Sequence, residues 1–208
     1  RSLCDEQGIV LIFDEVITGF RHGIGGYQAV CGVTPDLTTM GKAMANGFPM
    51  AALAGKTKFM DHFNTNPGGK VFFAGTYNGH AGSVAAALAT IAEMETGKVF
   101  EHIFRLGDRM RDGLRKIVND LDLVWTVAGF GSVYTLYFMD GPAENYNDLL
   151  RNDEDLYVRY RKGLNQRGIF ELPMNLKRNH ISYSHTEADI DRTLQASEEV
   201  LRELSGRN

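Results

Sequence analysis

The stretch Gly8-Ile9-Val10-Leu11-Ile12-Phe13-Asp14-Glu15 decides the fold. A short run of β-branched and aliphatic residues, opened by glycine and closed by two acids, reads as a fully buried strand of a parallel sheet. Asp14 and Glu15 then fall at the strand's carboxyl end, the edge at which open α/β sheets place their ligands. A glycine-rich loop follows (Gly19, Gly23, Gly25, Gly26), then a short helix from Tyr27 to Cys31 and a second strand, Pro35-Asp36-Leu37-Thr38-Thr39-Met40. Ala51 to Ala54 reads as a third strand and Thr57 to Phe63 as a short helix. Strands alternating with helices predict an α/β fold on a parallel sheet.

Further along, the small-residue run from Ala81 to Leu88 sits in a helix expected from Gly79 to Thr96, with Gly97 as its stop. Val99, Ile103, Leu106, Met110, Leu114 and Ile117 recur at helical spacing and predict a second helix over Val99 to Val118. The texture then changes. Leu123-Trp125-Val127 and Val133 to Phe138 alternate as strands around Gly129 and Gly131. One helix is expected from Asn147 to Arg167 and another from Thr186 to Leu204, with Ser184 or Thr186 as N-cap. The chain accordingly divides into an α/β region, residues 1–118, closed by a connecting helix, and a small α+β domain, residues 119–208. Arg1 to Gln7 reads as the tail of a helix that leads straight into a core strand, and the first region shows fewer strands than the ~5 of an ordinary open sheet. We therefore expect the chain to begin in the middle of a domain.

Composition excludes several classes of function. The 208 residues, 43% hydrophobic and 23% charged, have the balance of a globular protein, long enough to bury roughly 70% of its unfolded surface. A net charge of −4 leaves no surplus of Lys and Arg to neutralise phosphates, which argues against non-specific nucleic-acid or anionic-membrane binding. The longest apolar runs, Ile9 to Phe13 and Val84 to Leu88, fall far short of the ~20 residues that cross a bilayer. Cys4 and Cys31 form no C-x-x-C, which points away from a disulfide framework or thiolate zinc site and toward a reducing, cytoplasmic compartment. His180 and His185 lack acidic partners at metal spacing, so no metal site is expected. Tyr157, Tyr160, Arg151, Arg159 and Arg161, beside Asp153, Glu154 and Asp155, read as a solvated helix surface rather than a nucleic-acid face.

Two features carry chemistry. Aliphatics followed by Asp-Glu also describe the second phosphate-site motif of P-loop ATPases, but Gly55-Lys56-Thr57 comes after that pattern instead of before it, and Met50 stands where the first glycine belongs. From the pattern alone, Asp14 remains either a ligand-side acid or a strand-end acid capping a loop. Lys42 follows the second strand directly after Gly41, where a side chain can project into a cleft. A lone lysine is ordinarily a solvated charge; near apolar walls or other cations its amine loses its preference for the charged form, as a Schiff-base nucleophile requires.

Together the segments Phe13-Asp14-Glu15-Val16-Ile17-Thr18-Gly19-Phe20-Arg21, Gly32-Val33-Thr34-Pro35-Asp36-Leu37-Thr38-Thr39-Met40-Gly41-Lys42, Gly75-Thr76 and Ser184-His185-Thr186-Glu187 resemble the class III aminotransferases. These are pyridoxal-phosphate enzymes of fold type I, and the chain looks nearest to the branch that contains glutamate-1-semialdehyde aminomutase. The resemblance is most specific from residue 8 to residue 90 and covers the C-terminal half of the family's fold. It implies that residues 1–118 are the later part of the large cofactor-binding domain and 119–208 the small C-terminal domain.

Carried over residue by residue, the resemblance implies a Schiff base between Lys42 and the aldehyde of pyridoxal 5′-phosphate, with the same amine later shuttling a proton. It implies that Asp14 bonds the pyridine nitrogen and keeps the ring protonated as an electron sink. Val16 would pack on one ring face, and Thr76 would reach the phosphate of a neighbouring subunit's cofactor, making the site part of a homodimer. The implied reaction moves an amino group between an amine or amino acid and a keto acid or aldehyde; the alternatives are an aminomutase acting within one substrate and an inactive fragment. The phosphate-cradling loop and the ring-stacking aromatic are expected before residue 1, attached or in trans, so the 208 residues alone are expected to be nearly inactive. Where the aminomutase branch carries a glutamate, this sequence has Lys177 and Arg178. Arg178 is the candidate for gripping a substrate carboxylate with two parallel hydrogen bonds.

Overall fold

The computed structural model describes residues 1–63 and 68–206. Packing divides it into two compact units, Arg1–Phe100 and Glu101–Asn208. Among the described residues no helix is long and apolar enough to cross a membrane.

In the first unit, β1 (Ile12–Glu15), β2 (Leu37–Met40) and β3 (Ala52–Gly55) form a sheet in that order. β1 and β2 are parallel, with Asp14 opposite Thr39 and Glu15 opposite Met40. The connection between them carries the short helix α2 (Gly26–Cys31). β3 runs antiparallel to β2, which corrects the all-parallel expectation. The reason lies in the connection: a 3₁₀ turn (Lys42–Ala45) followed by Asn46 (φ +46°) and Gly47 (φ +98°) reverses the chain within a few residues. A parallel return needs a crossover of a dozen or more residues. β1 is also not the fully buried strand its apolar run suggested. It is an edge strand of this sheet, Ile12 is 54% exposed, and the one fully buried residue of the strand is Glu15.

The starts of β1 and β2 and the end of β3 meet at Asp36. Its buried carboxylate accepts from the Leu11 amide at 2.9 Å, Arg1 Nη1 at 2.9 Å and Lys56 Nζ at 2.7 Å, and Lys56 foremost among these donors holds it well below the usual carboxylate range. α1 (Ser2–Glu6), α3 (Thr57–Met60) with a following 3₁₀ turn (Asp61–Phe63), and α4 (Ala81–Glu95) complete the unit. The alanine-rich sequence of α4 lets it lie close to the turn that carries Lys42. Ala87 is buried with Met44 and Ala45, flanked by Phe20, Met40, Met50, Ala52 and Ile91.

The second unit begins within α5 (Lys98–Asp120). The packing boundary falls at 100/101 instead of 118/119 because the apolar stripe of α5 belongs to this unit: Leu106, Met110 and Leu114 are fully buried against Tyr134, Ile181 and Ile190. β4 (Thr126–Ala128) and β5 (Val133–Tyr137) pair antiparallel, and β6 (Asn179–His180) joins the other edge of β5. The single helix expected over residues 147–167 is two, α6 (Tyr146–Leu149) and α7 (Glu154–Gln166). Asn145 and Asp148 form a capping box on the first, and Asp153 caps the second by accepting from the Leu156 amide at 2.9 Å, so polar caps restart the helix in mid-pattern. α8 (Glu187–Ser205) is capped by Thr186 and ends at Gly206 in the left-handed conformation (φ +66°).

The face of α7 expected to be solvated is partly core. Tyr157, Tyr160 and Arg161 are buried, while Arg151 and Arg159 stay exposed. Each buried polar tip has a partner: Tyr160 donates to Ser197 Oγ at 2.8 Å, Arg161 Nη1 to the Leu172 carbonyl at 2.9 Å, and Arg161 Nη2 to Tyr157 Oη at 2.8 Å. Satisfied this way, phenol and guanidinium groups enter a core that their polar atoms would otherwise keep them out of.

Candidate active site

Because β1 and β2 are parallel, their carboxyl ends share one edge of the sheet, and that edge carries the candidate residues. Asp14 lies near the end of β1. Lys42 lies just past the end of β2, after Gly41. The Asp14 carboxylate is exposed but oriented: Oδ1 accepts from the Val16 amide at 3.1 Å and from Thr39 Oγ1 at 3.3 Å. No hydrogen bond from the described residues reaches its Oδ2.

Val16 leaves β1 toward the same place. Its Cγ1 lies 3.6 Å from where a Cβ on Gly41 would stand, so an apolar wall adjoins the residue before Lys42. Lys42 itself is exposed and opens the 3₁₀ turn in the left-handed region (φ +47°). For a residue other than glycine this conformation costs about 1–2 kcal/mol, and such strain gathers at functional positions. The burial of Met44 and Ala45 on the same turn holds it in place. Among the described residues no hydrogen bond or ion pair engages the Lys42 amine.

The structure therefore brings Asp14, Val16 and Lys42 to one edge and adds Thr39, which the motif reading passed over as an ordinary strand residue. Parallel register was the signal that could have found it, since a strand residue opposite a site acid is placed to bond it. Thr76 sits apart from this hydrogen-bonded group, on an exposed turn before α4. That turn leads to His80, whose Nδ1 caps α4 by accepting from the Ser83 amide at 3.2 Å. Arg178 belongs to the second unit, exposed next to β6, and lines a cavity there with Glu171, His180, His185 and Arg192. The backbone beneath it is anchored: the Lys177 carbonyl accepts from Tyr157 Oη at 2.5 Å and from Arg161. Glu171, buried beside them, is pushed above its ordinary range by desolvation, against the opposing pull of Arg161.

Solved structures of the fold type I, pyridoxal-phosphate-dependent transaminases share the fold of this chain. An omega-transaminase from Sphaerobacter thermophilus matches with a TM-score of 0.88 at 28% identity, over 99% of this chain and 47% of its own. A glutamate-1-semialdehyde-aminomutase from Pseudomonas aeruginosa in complex with PMP matches with a TM-score of 0.85 at 26% identity, over 98% of this chain and 47% of its own. The chain belongs to the class III aminotransferase family, whose model matches residues 1–201. The glutamate-1-semialdehyde 2,1-aminomutase of Desulfatibacillum aliphaticivorans is 41% identical over 98% of this chain and 48% of its own length. The chain thus spans about half the length of the relatives it matches.

Proposed function

We propose that this chain supplies the lysine and the ring-nitrogen acid of a pyridoxal-phosphate enzyme that moves an amino group between an amine or amino acid and a carbonyl acceptor. The observation that carries the reading is the placement of Asp14 and Lys42 on one edge by the parallel β1–β2 pair. The donor set fits the cofactor: a carboxylate oxygen left open for a ring N–H, an amine for an aldehyde, and an apolar side chain for a ring face. Bound pyridoxal phosphate would supply an aldehyde that takes up amines and a ring that accepts electrons.

This chain's residues would then do the following. Lys42 Nζ would hold the aldehyde and would take up the proton removed from the substrate's α-carbon. The Asp14 carboxylate would hold the ring nitrogen and stabilise its proton, with Thr39 and Val16 already bonded to Oδ1. Val16 shields the site from water. Thr76 donates to a phosphate held by a second copy of the protein, and Arg178 grips a substrate carboxylate.

A second reading, an aminomutase acting within one substrate, is favoured by the names of the curated relatives at 37–43% identity, each a glutamate-1-semialdehyde 2,1-aminomutase. Lys177 and Arg178, cations where the resemblance implies a glutamate in that branch, support the intermolecular reading. The two separate by acceptor dependence. Incubated with an amino donor, the full-length protein should release more than one carbonyl product per active site only when a keto acid or aldehyde acceptor is added to take the amino group off the cofactor. Isomerisation of a single substrate without acceptor would establish the aminomutase instead.

A further inference from the structure

Glu15 is a buried acid that the proposed chemistry leaves unused, and it is 2% exposed. Four donors converge on it. Thr18 Oγ1 at 3.0 Å and the Tyr27 amide at 2.6 Å reach Oε2; the Gln28 amide at 3.0 Å and Gln28 Nε2 at 3.2 Å reach Oε1. Its own carbonyl accepts from the Gly19 amide at 2.9 Å. The packing is close enough that Gly26, in the left-handed region at φ +64°, would place a Cβ 2.3 Å from Oε2. One side chain thus gathers both ends of the loop between β1 and α2.

Successive strand side chains point to opposite faces. Pinning Glu15 on one face fixes the rotation of the strand end, and with it the direction of Asp14 on the other and of the Val16 amide that bonds Asp14 Oδ1. We propose that Glu15 is a positioning residue, which aims the Asp14 carboxylate by locking the loop that follows β1. The inference rests on the reading of Asp14 as the partner of the cofactor's ring nitrogen. It also demands a carboxylate. Each carboxylate oxygen accepts from a backbone N–H, which can only donate, so a glutamine in its place would set an amide NH₂ against the Tyr27 or the Gln28 amide, and the nominally conservative change would not conserve the function.

The test uses the full-length protein with pyridoxal phosphate, in wild type, Glu15→Gln and Thr18→Val. Folding is monitored by thermal melting, and the readouts are kcat, KM and the pH midpoint of the cofactor's visible absorption. Glu15→Gln should melt cooperatively, lose roughly 10- to 100-fold in kcat with KM within about twofold, and shift the absorption midpoint. Thr18→Val should shift the midpoint the same way by less. A Glu15→Gln protein that melts earlier but keeps the wild-type midpoint and kcat would reduce Glu15 to a stabilising residue and overturn the proposal. If Glu15→Gln does not fold, Thr18→Val decides: a shifted midpoint supports positioning, and a wild-type midpoint with wild-type kcat refutes it. Borohydride labelling of wild type separates the two levels. No label at Lys42 overturns the functional reading along with this one, whereas label at Lys42 with unaltered variants overturns this one alone.

Discussion

Thr39 stands opposite Asp14 on the neighbouring parallel strand, and its hydroxyl donates to Asp14 Oδ1 at 3.3 Å. The bond occupies one carboxylate oxygen and leaves the other for a partner outside the sheet. Hydrogen bonds to charged groups contribute about 1.5–3 kcal/mol, and the solvent around exposed Asp14 brings this one to about 1 kcal/mol. Thr39→Val should therefore lower kcat/KM of the full-length protein about fivefold and its melting temperature by no more than about 2–4 °C. An unchanged kcat/KM would show that Thr39 does not orient Asp14.

Gly26 has both a left-handed backbone and no room, since a Cβ there would meet Glu15 Oε2 at 2.3 Å. Gly26→Ala should destabilise by about 3 kcal/mol, which lowers the melting temperature of a chain this size by about 6–12 °C. Calorimetry on the single variant and on Gly26→Ala in a Glu15→Ala background checks the cause. The second should lose less on adding the alanine, because the group it strikes is gone. Equal losses in both backgrounds would assign the effect to backbone strain alone.

How much of this was readable from the sequence follows from the range of the interactions involved. Local signals worked where local physics decides: the periodic residues of α5 and the Thr186 cap of α8 are where periodicity and capping chemistry put them. Asp14 and Lys42 were visible as motif residues, and the structure brings them to one edge. The reversal of β3 was hidden because strand direction depends on the length of the turn from Lys42 to Met50, not on the apolar character of Ala52 and Leu53. The burial of Arg161 was hidden for a similar reason. It rests on carbonyls of Leu172 and Lys177 that arrive from a later loop, and no pattern within α7 announces them. Thr39 and Glu15 acquire their roles only through pairing and a loop closure, which sequence spacing does not display.

Acid should destabilise the protein through Asp36, Glu15 and Asp189, whose hydrogen-bond donors hold all three below their ordinary pKa values, in Glu15 against the opposing desolvation. As pH falls, the unfolded chain takes up protons on these groups before the folded one does, so their stabilisation is complete above the unfolded carboxylate range, near pH 4, and is lost below it. Urea titrations from pH 7 to pH 3 should show stability falling through that range, and falling less steeply in Asp36→Asn. A pH dependence identical to wild type in that variant would remove Asp36 from the explanation.

Arg178 tests the substrate class. If its guanidinium grips a carboxylate, Arg178→Ala should weaken kcat/KM for amino-acid donors by about 1.5–3 kcal/mol, roughly 10- to 150-fold, and leave plain amines such as phenylethylamine nearly unaffected. An equal drop for both donor classes, or none for either, would take this role from Arg178.

Lys42 is the residue on which the whole reading turns, and its chemistry can be trapped. The full-length protein is incubated with pyridoxal phosphate, reduced with borohydride, digested and mapped by mass spectrometry. The pyridoxyl group should appear on the peptide carrying Met40-Gly41-Lys42, attached to Lys42, and Lys42→Ala should abolish it. A label on Lys56 or Lys58, or no label at all, would contradict the assignment.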